Sequence, residues 1–240
     1  MPEQIALVTG ASHGIGLEVV RQLAEKGMIV MLTARDKEKG QVAAQKLADE
    51  GLDVHFLQLD IADPASVQGA ASQVDDGYGR LDILVNNAAA YADWSETASG
   101  ADLAHTQEVM NTNLFGAWRM VQAFLPLLKK SEHARVVNVS SGAGSYGEQQ
   151  FGLASSPTVV SYGVSKAALN ALTVKLAGEL KEQGVLVNAV DPGLTATAPG
   201  MEEMGARPVP EGAASVVWAA TLGEDGPTGG FYRDGEPLPW

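Results

Sequence analysis

Short, continuous apolar runs alternate along the chain with longer segments whose apolar residues recur at helical spacing. Continuous apolar strands separated by amphipathic helices are typical of a parallel sheet covered by helices on both faces. The runs predict strands at Ile5–Thr9, Met28–Thr33, Val54–Leu59, Leu81–Val85, Arg135–Ser140, Val185–Val190 and Gly230–Tyr232. The longer segments predict helices over about Gly14–Lys26 and Lys37–Glu50, one with Pro64 in its first turn, and others over Leu103–Lys130, Tyr162–Gln183 and Gly212–Thr221.

Right-handed crossovers between such strands give a doubly wound sheet. We therefore predict an α/β fold, a single-domain Rossmann-type doubly wound parallel sheet of about seven strands with helices on both faces. The 240 residues are enough for one sizeable core, and no internal repeat or linker divides the predicted domain, 1–240. Prolines and glycines between 194 and 210 predict a short lid over the substrate.

Irregular segments are expected at three further places. The helix over Leu103–Lys130 should break near Asn111–Asn113, and Pro126 should kink or loosen its last turns. The segment Gly142–Ser161 predicts a flap over the substrate. The ending Gly235–Trp240 suggests a docked tail, with a neighbouring subunit as one candidate surface.

A glycine-rich turn, Thr9–Gly16, joins the first predicted strand to the first predicted helix. Glycines allow the backbone to turn tightly and approach a pyrophosphate, while the free N–H groups of the following helix favour negative charge. Ligands of doubly wound sheets lie beyond the carboxyl ends of the strands, where this turn falls. The alternative is that the glycines serve chain geometry alone.

Arg35 follows the second predicted strand and bears on the choice of dinucleotide. A carboxylate at the strand end would bind a ribose 2′-hydroxyl and repel a 2′-phosphate, but Ala34 holds that position. The Arg35 guanidinium suits phosphate, and His13 offers a second donor, so we predict NADP(H). Asp36 argues the other way, and Arg35 and His13 have the alternative of simple solvent exposure.

Tyr162 and Lys166 stand four residues apart at the start of an apolar helical segment. Positions i and i+4 share one face of a helix, so the phenol and the ammonium reach the same volume. A nearby positive charge favours the phenolate, so we expect a lowered pKa for Tyr162 and a role in proton transfer. The alternative is a solvated surface pair.

Together these features resemble the short-chain dehydrogenase/reductase family, over nearly the whole chain. The motifs occur in that family's order and spacing: the Thr-Gly-x-x-x-Gly-x-Gly turn at Thr9–Gly16, Asn86-Asn87-Ala88, Asn113, Ser141, Tyr162-x-x-x-Lys166 and Pro192-Gly193. The carbonyl reductase branch is the most similar, through Leu32–Asp36, Gln58–Ile61 and Arg135–Ser141. One departure is Ala89, where the Asn-Asn-Ala motif usually continues with glycine.

The resemblance implies a role for each matching residue. The implied catalytic residues are Tyr162 as general acid or base, Lys166 as its partner, Ser141 as a hydrogen-bond donor to the substrate, and Asn113 in a water-linked proton relay. The implied cofactor-binding residues are Gly10, Ser12, His13, Gly14, Ile15, Gly16, Arg35, Asp60, Ile61, Asn86, Ala88, Tyr162, Lys166, Pro192, Gly193, Thr195 and Thr197. As alternatives, Asn113 joins two helical pieces, Asp60 caps the next segment, and Ser140 faces the substrate instead of Ser141.

The implied activity is NADP(H)-dependent interconversion of a ketone or aldehyde and an alcohol. A non-catalytic NADP-binding sensor is the alternative from another class, and a nucleotide-sugar epimerase or dehydratase is disfavoured by the spacing of the glycines. Aromatic and apolar residues are expected to line the substrate pocket, namely Tyr91, Trp94, Tyr146, Phe151 and Met201.

Net charge and composition exclude several classes of binding partner and site. A net charge of −13 argues against nucleic acid, and the absence of cysteine excludes disulfides, thiolate metal sites and cysteine nucleophiles. The sequence predicts no metal site, no membrane span, a cytoplasmic protein and a small-molecule carbonyl or alcohol substrate. Apolar surface on Leu114–Leu128 and Val164–Leu180 makes a homodimer or homotetramer a further expectation.

Overall fold

A computed structural model describes residues 3–240; residues 1 and 2 of the predicted domain lie outside the described part. The described residues form eight strands: β1 (Ile5–Val8), β2 (Ile29–Ala34), β3 (Val54–Gln58), β4 (Ile83–Asn86), β5 (Arg135–Val139), β6 (Leu186–Val190), β7 (Phe231–Arg233) and β8 (Glu236–Pro237). They also form seven α-helices: α1 (Gly14–Ala24), α2 (Lys37–Asp49), α3 (Pro64–Tyr78), α4 (Leu103–Met110), α5 (Ala117–Leu128), α6 (Val160–Leu180) and α7 (Val209–Ala220).

The strands make one sheet in the order β3-β2-β1-β4-β5-β6-β7-β8. The first seven strands pair in parallel, which confirms the predicted doubly wound parallel sheet. The order reverses between β1 and β4, so the connections leaving these two strands run in opposite directions. A crevice at the carboxyl ends of the strands follows from that reversal.

The eighth strand was not predicted. β8 pairs antiparallel to β7 at the sheet edge, with Tyr232 opposite Pro237 and Arg233 opposite Glu236. The turn between them is Asp234–Gly235, with φ of 55° and 81°. An Asp-Gly pair is a strong hairpin signal because both residues tolerate positive φ, so the sequence did contain the evidence for this strand.

Side-chain alternation along the central strands separates two cores. In β1, Leu7 faces the core covered by α3, α5 and α6, whereas Val8 faces the core covered by α1, α2 and α7. Every residue of β1, β4, β5 and β6 is buried. Burial on both faces is the reason these strands are mostly apolar. Their polar residues are themselves buried: Asn86 in β4, Arg135 and Asn138 in β5, and Asn188 in β6.

The predicted break in the long helix is a π-helical segment, Asn111–Gly116, between α4 and α5. A Cβ on Gly116 would lie 2.7 Å from Ile61 Cδ1, so glycine lets the wide turn pack against the loop after β3. α5 ends at Leu128, two residues after Pro126 and two before the predicted end. α7 begins at Val209, three residues before the predicted Gly212.

The C-terminal tail docks on its own chain, on the flap that follows β5. Tyr146 N donates to Trp240 O at 3.0 Å, and Ser145 Oγ donates to Pro239 O at 2.7 Å. The Trp240 ring also stacks on Phe231, with centroids 5.6 Å apart. A docked tail was expected, and the surface that holds it belongs to the same chain.

Candidate active site

The turn after β1 brings the chain unusually close to the loop after β4. Gly10 and Gly14 have φ of 63° and 58°, a region that side chains disfavour. A Cβ on Gly10 would lie 2.8 Å from Ala88 Cα, and one on Gly16 would lie 2.4 Å from Asn87 Nδ2. The glycines are therefore required by the geometry of the turn, and the turn exposes the first N–H groups of α1 at the crevice, where an anion is favoured.

Thr9 and Asn87 tie this turn to the loop after β4. Thr9 Oγ1 accepts from the backbone N of Asn87 at 2.9 Å and of Ala88 at 3.0 Å. Asn87 Nδ2 donates to the carbonyl oxygens of Thr9 at 2.8 Å and Gly10 at 3.2 Å. Sequence reasoning assigned no role to either side chain, although both lie inside motifs that it identified.

The other predicted cofactor-binding residues of the turn, Ser12, His13 and Ile15, differ in their surroundings. Ser12 Oγ lies 3.2 Å from His13 Nδ1, and the exposed His13 precedes α1 without capping it. Ile15 packs against the core covered by α1, α2 and α7. Of the three, Ser12 and His13 present polar side chains near the start of α1.

Arg35 is exposed at the end of β2, and its backbone O accepts from Gln58 Nε2 at 3.1 Å. Within residues 3–240 no carboxylate lies within ion-pair distance of its guanidinium. Asp36, the residue that argued against NADP(H), caps α2 instead: its Oδ1 accepts from Lys39 N at 3.1 Å. The guanidinium therefore has no internal competitor for an anionic ligand.

Three residues that the resemblance implied for cofactor binding use their side chains for structure. Asp60 Oδ1 accepts from Ala62 N at 2.9 Å in the turn before α3, and the cap of α3 itself is Asp63. Ile61 is 7% exposed, and its side chain packs at Gly116. Asn86 Nδ2 donates to Asn138 Oδ1 at 2.9 Å inside the sheet.

Tyr162 and Lys166 lie in the first turns of α6, and Ser141 is the second residue after β5. Lys166 is 2% exposed; its Nζ donates to Val139 O at 2.8 Å and lies 5.5 Å from the centroid of the Tyr162 ring. The Ser141 side chain is near enough to form a hydrogen bond with Tyr162. The three side chains thus occupy one site at the carboxyl ends of β5 and β6, with the ring of Tyr91 stacked on that of Tyr162 at 5.2 Å.

Strand alternation separates the two neighbouring serines. Ser140 is 2% exposed, and its Oγ donates to Asn170 Oδ1 at 2.5 Å, inside the α6 interface. Ser141 therefore points the other way, toward Tyr162.

Asn113, in the π-helical segment, is 1% exposed, and both the oxygen and the nitrogen of its side-chain amide form hydrogen bonds. Its Oδ1 accepts from Ala90 N at 2.7 Å, and its Nδ2 donates to Ala90 O and to Ser165 Oγ, each at 2.9 Å. Both amide N–H donors are therefore used in joining the loop after β4 to α6. The water-linked relay stays a prediction, and its donor would have to be a group other than this amide.

The segment after β6 forms its own hydrogen-bonded turn. Gly193 has φ of 71°, and Thr195, 4% exposed, donates from Oγ1 to Gly193 O at 3.0 Å and to Pro192 O at 3.2 Å. Thr197 is exposed, and its Cγ2 would lie 3.4 Å from a Cβ on Gly14. Thr197 rather than Thr195 therefore presents its side chain beside the glycine turn.

A family model described as short chain dehydrogenase matches residues 4–206. The chain belongs to the short-chain dehydrogenase family. Short-chain dehydrogenase/reductase 1 of Saponaria officinalis is 33% identical, covering 99% of this chain and 96% of that protein. A (+)-neomenthol dehydrogenase of Arabidopsis thaliana is 35% identical, covering 95% of each chain. The structure of NADPH-bound carbonyl reductase from chicken fatty liver is 31% identical with a TM-score of 0.88, over 100% of both chains.

Electrostatics at the site of this short-chain dehydrogenase differ from the expectation. Burial raises the pKa of Tyr162; Tyr91 and Asp191 act in the same direction, and the hydrogen bond with Ser141 opposes them. Burial also lowers the pKa of Lys166 to about 8, against the effect of Asp191. The expected lowering of the Tyr162 pKa is wrong for this arrangement, because Lys166 Nζ is directed to Val139 O and burial outweighs its charge.

The residues expected to line the substrate pocket or an interface between subunits are at least partly exposed in this dehydrogenase. Tyr91, Trp94, Tyr146 and Phe151 are 63%, 65%, 73% and 45% exposed, and Met201 is half-buried. Exposed side chains on the π-helical segment, α5 and α6 include Phe115, Trp118, Val164 and Val174. Pocket lining and self-association both stay predictions.

Residues 3–240 of the dehydrogenase contain no helix of the length and hydropathy needed to cross a bilayer. They also bring together no group of three or more His, Asp or Glu side chains suited to a metal ion.

Proposed function

We propose that this dehydrogenase uses NADP(H) to interconvert a ketone or aldehyde and an alcohol by hydride transfer, with Tyr162 as general acid or base. The observation that carries the proposal is the meeting of Ser141, Tyr162 and Lys166 at the sheet edge where the glycine turn opens. The similarity to an NADPH-bound carbonyl reductase and to (+)-neomenthol dehydrogenases supports the same class of reaction.

The residues present fit a phosphorylated dinucleotide. Close approach of Gly10 and Gly16 to the loop after β4 leaves backbone, with no side chain, at the start of α1 for a pyrophosphate. Arg35, exposed and without an internal ion partner among residues 3–240, suits a 2′-phosphate, and the exposed His13 of the glycine turn is the second donor that we propose. Asp60 has one carboxylate oxygen beyond the one that accepts from Ala62 N.

For Ile61, Asn86, Ala88, Pro192, Gly193 and Thr195 we propose backbone contacts with the dinucleotide. The Ile61 side chain packs at Gly116, Thr195 Oγ1 donates to Gly193 O, and Asn86 Nδ2 donates to Asn138 Oδ1. Asn86 Oδ1 is buried and has no hydrogen-bond partner within residues 3–240. Ser12, Ile15, Gly14 and Thr197 complete the proposed wall around the first turn of α1.

When bound, the reduced nicotinamide supplies a hydride to the carbonyl carbon. The chain supplies the proton and holds the oxygen. Tyr162 is a neutral phenol at physiological pH, since burial raises its pKa further above neutrality, and the neutral phenol is the form that holds a proton for the carbonyl oxygen. The Ser141 hydroxyl donates a hydrogen bond to the same oxygen as negative charge develops on it. Lys166, with a pKa of about 8, is mostly protonated at pH 7 and is the nearest charged donor to the phenol.

Tyr162→Phe tests the proposal, because it removes the phenolic proton and keeps the ring that stacks on Tyr91. We expect NADPH-dependent reduction of a panel of ketones and aldehydes to fall by about 10²-fold or more. Binding of NADPH, followed by fluorescence, should stay within about twofold. Tyr78→Phe, at the end of α3, is the matched control and should leave turnover unchanged.

The two outcomes separate the hypotheses. Near-wild-type turnover by the Tyr162→Phe variant would mean that another group is the acid. NADPH binding by the wild type without turnover of any carbonyl or alcohol would favour the non-catalytic sensor.

A further inference from the structure

Asp191, the first residue after β6, is a buried carboxylate that binds two loops at once. It is 4% exposed. Its Oδ1 accepts from Gly193 N at 2.8 Å, and its Oδ2 accepts from Gly142 N at 3.0 Å. Gly142 directly follows Ser141, and Gly193 belongs to the segment after β6 that is proposed to contact the dinucleotide. A single side chain therefore fixes two walls of the same cleft.

The charge of Asp191 is balanced by Arg233 of β7. Arg233 Nε donates to Asp191 Oδ2 at 3.2 Å, and Arg233 Nη2 forms a second contact with the same oxygen. A buried carboxylate that lost this partner would destabilise the fold, so replacing Arg233 alone should cost stability as well as rate. A Cβ on Gly142 would lie 3.2 Å from Asp191 Oδ2 and 3.3 Å from Arg233 Nη2, so the flap sits directly against the pair.

The hairpin that carries Arg233 is itself attached to the predicted lid and to the flap segment. Asp234 accepts from Arg207 of the lid through two hydrogen bonds, each 2.9 Å long. The tail after β8 holds the flap through Trp240 O, which accepts from Tyr146 N. The Asp191–Arg233 pair is the buried centre of these contacts.

We propose that Asp191 and Arg233 are positioning residues, which hold the flap after β5 and the segment after β6 so that Ser141 and Tyr162 meet at one substrate oxygen. The inference rests on the proposed function and assigns a role to residues outside the implied catalytic set.

The same carboxylate adds negative charge at the site. The charged and titratable groups around it are Arg233 on β7, Glu148 on the flap, Asp234 on the hairpin, and Tyr162 and Lys166 on α6. Asp191 raises the pKa of both Tyr162 and Lys166. Neutralising it should lower both pKa values, so that a phenolate forms at lower pH.

Asp191→Asn keeps the volume of the side chain but offers one oxygen in place of two. Gly142 N or Gly193 N then faces an amide nitrogen, and Arg233 loses its counter-charge. We expect kcat/KM for carbonyl reduction to fall about 10- to 100-fold, mainly through kcat. In the free protein, hydrogen–deuterium exchange should become faster in peptides covering 141–150 and 192–197. The acid limb of the pH profile for alcohol oxidation should move to lower pH by about 1 unit or less.

Asp82 is the matched control, because it is also 4% exposed and binds an arginine and a backbone N–H, those of Arg80 and Ile5. It lies at the start of β4, at the opposite edge of the sheet from the site. Asp82→Asn should lower the melting temperature without changing KM, the pH profile or exchange in the two peptides. Arg233→Lys should recover part of the rate that Arg233→Met loses, and this second pair decides the matter if Asp191→Asn does not fold.

A positioning role is overturned if Asp191→Asn or Arg233→Met keeps kcat/KM within twofold, or if exchange in the two peptides changes no more than in Asp82→Asn. If the wild type turns over no carbonyl substrate, the proposed function fails instead. The exchange measurement still decides whether the pair holds the two loops.

Discussion

Gly16→Ala should damage the glycine turn through a collision, without any backbone strain. Gly16 lies in the first turn of α1 with an ordinary φ, unlike Gly10 and Gly14. An added Cβ would lie 2.4 Å from Asn87 Nδ2 and 2.9 Å from Gly10 O. The Asn87 amide cannot move away cheaply, since it donates to two backbone carbonyl oxygens at 2.8 Å and 3.2 Å.

The expected magnitude follows from three contributions. Losing the two hydrogen bonds of Asn87 costs about 1 kcal/mol each. Overpacking against a fixed backbone oxygen costs about 1–3 kcal/mol more. Replacing glycine by alanine in a helix returns about 1 kcal/mol. The free energy of unfolding of Gly16→Ala should therefore fall by about 2–4 kcal/mol, and affinity for NADPH should fall with it, because the displaced turn is the proposed pyrophosphate site.

Urea denaturation and a fluorescence titration with NADPH measure the two effects. Gly178→Ala is the control: it lies in α6, is exposed, and has nothing within 4 Å of its added Cβ. That variant should be unchanged or more stable by up to about 1 kcal/mol. Equal stability of the two variants, together with NADPH affinity within twofold of wild type for Gly16→Ala, would refute the close approach of the two loops.

Two other predictions concern Lys166 and Arg35. The pKa of Lys166 is lowered from 10.5 to about 8, so its charge destabilises the fold below about pH 8, and this cost is relieved as pH rises toward 10.5. Lys166→Met should therefore have a higher free energy of unfolding than the wild type at pH 7, by at most about 3 kcal/mol. Urea denaturation should show this difference shrinking by pH 10. A difference that does not depend on pH would contradict the burial effect. Arg35→Asp should change the ratio of kcat/KM for NADPH to that for NADH by about 10-fold or more in favour of NADH, and an unchanged ratio would remove Arg35 from cofactor choice.

The fold was predictable because its signals are local. The buried parallel strands read as continuous apolar runs, and the turn at Thr9–Gly16 sits between a strand and a helix in the sequence itself. Local alternation also separated Ser141 from Ser140, which the structure places against Asn170. The missed strand β8 had a local signal too, in the turn Asp234–Gly235. The strand itself, Glu236–Pro237, is only two residues long and contains no apolar run.

Long-range hydrogen bonds account for most of what sequence reasoning missed. Asn87 binds the carbonyl oxygens of residues 77 and 78 positions away, and Asp191 binds an N–H 49 positions away. Nothing in the spacing of a lone aspartate indicates such partners, since they depend on which strands become neighbours. The same holds for Asn86, whose side chain turned out to be paired with Asn138 on the adjacent strand.

The pKa of Tyr162 was predicted wrongly because sequence spacing does not show how deeply a side chain is buried. The i, i+4 spacing correctly predicted that Tyr162 and Lys166 lie together. It could not predict that Val139 O accepts a hydrogen bond from the Lys166 ammonium at 2.8 Å. Desolvation penalises the phenolate and the ammonium alike, so it raises one pKa and lowers the other, and the two values move apart. At neutral pH the pair therefore holds its protons as neutral phenol and mostly protonated amine. In the proposed reaction this state carries the proton that carbonyl reduction requires, whereas alcohol oxidation would first require that Tyr162 lose it.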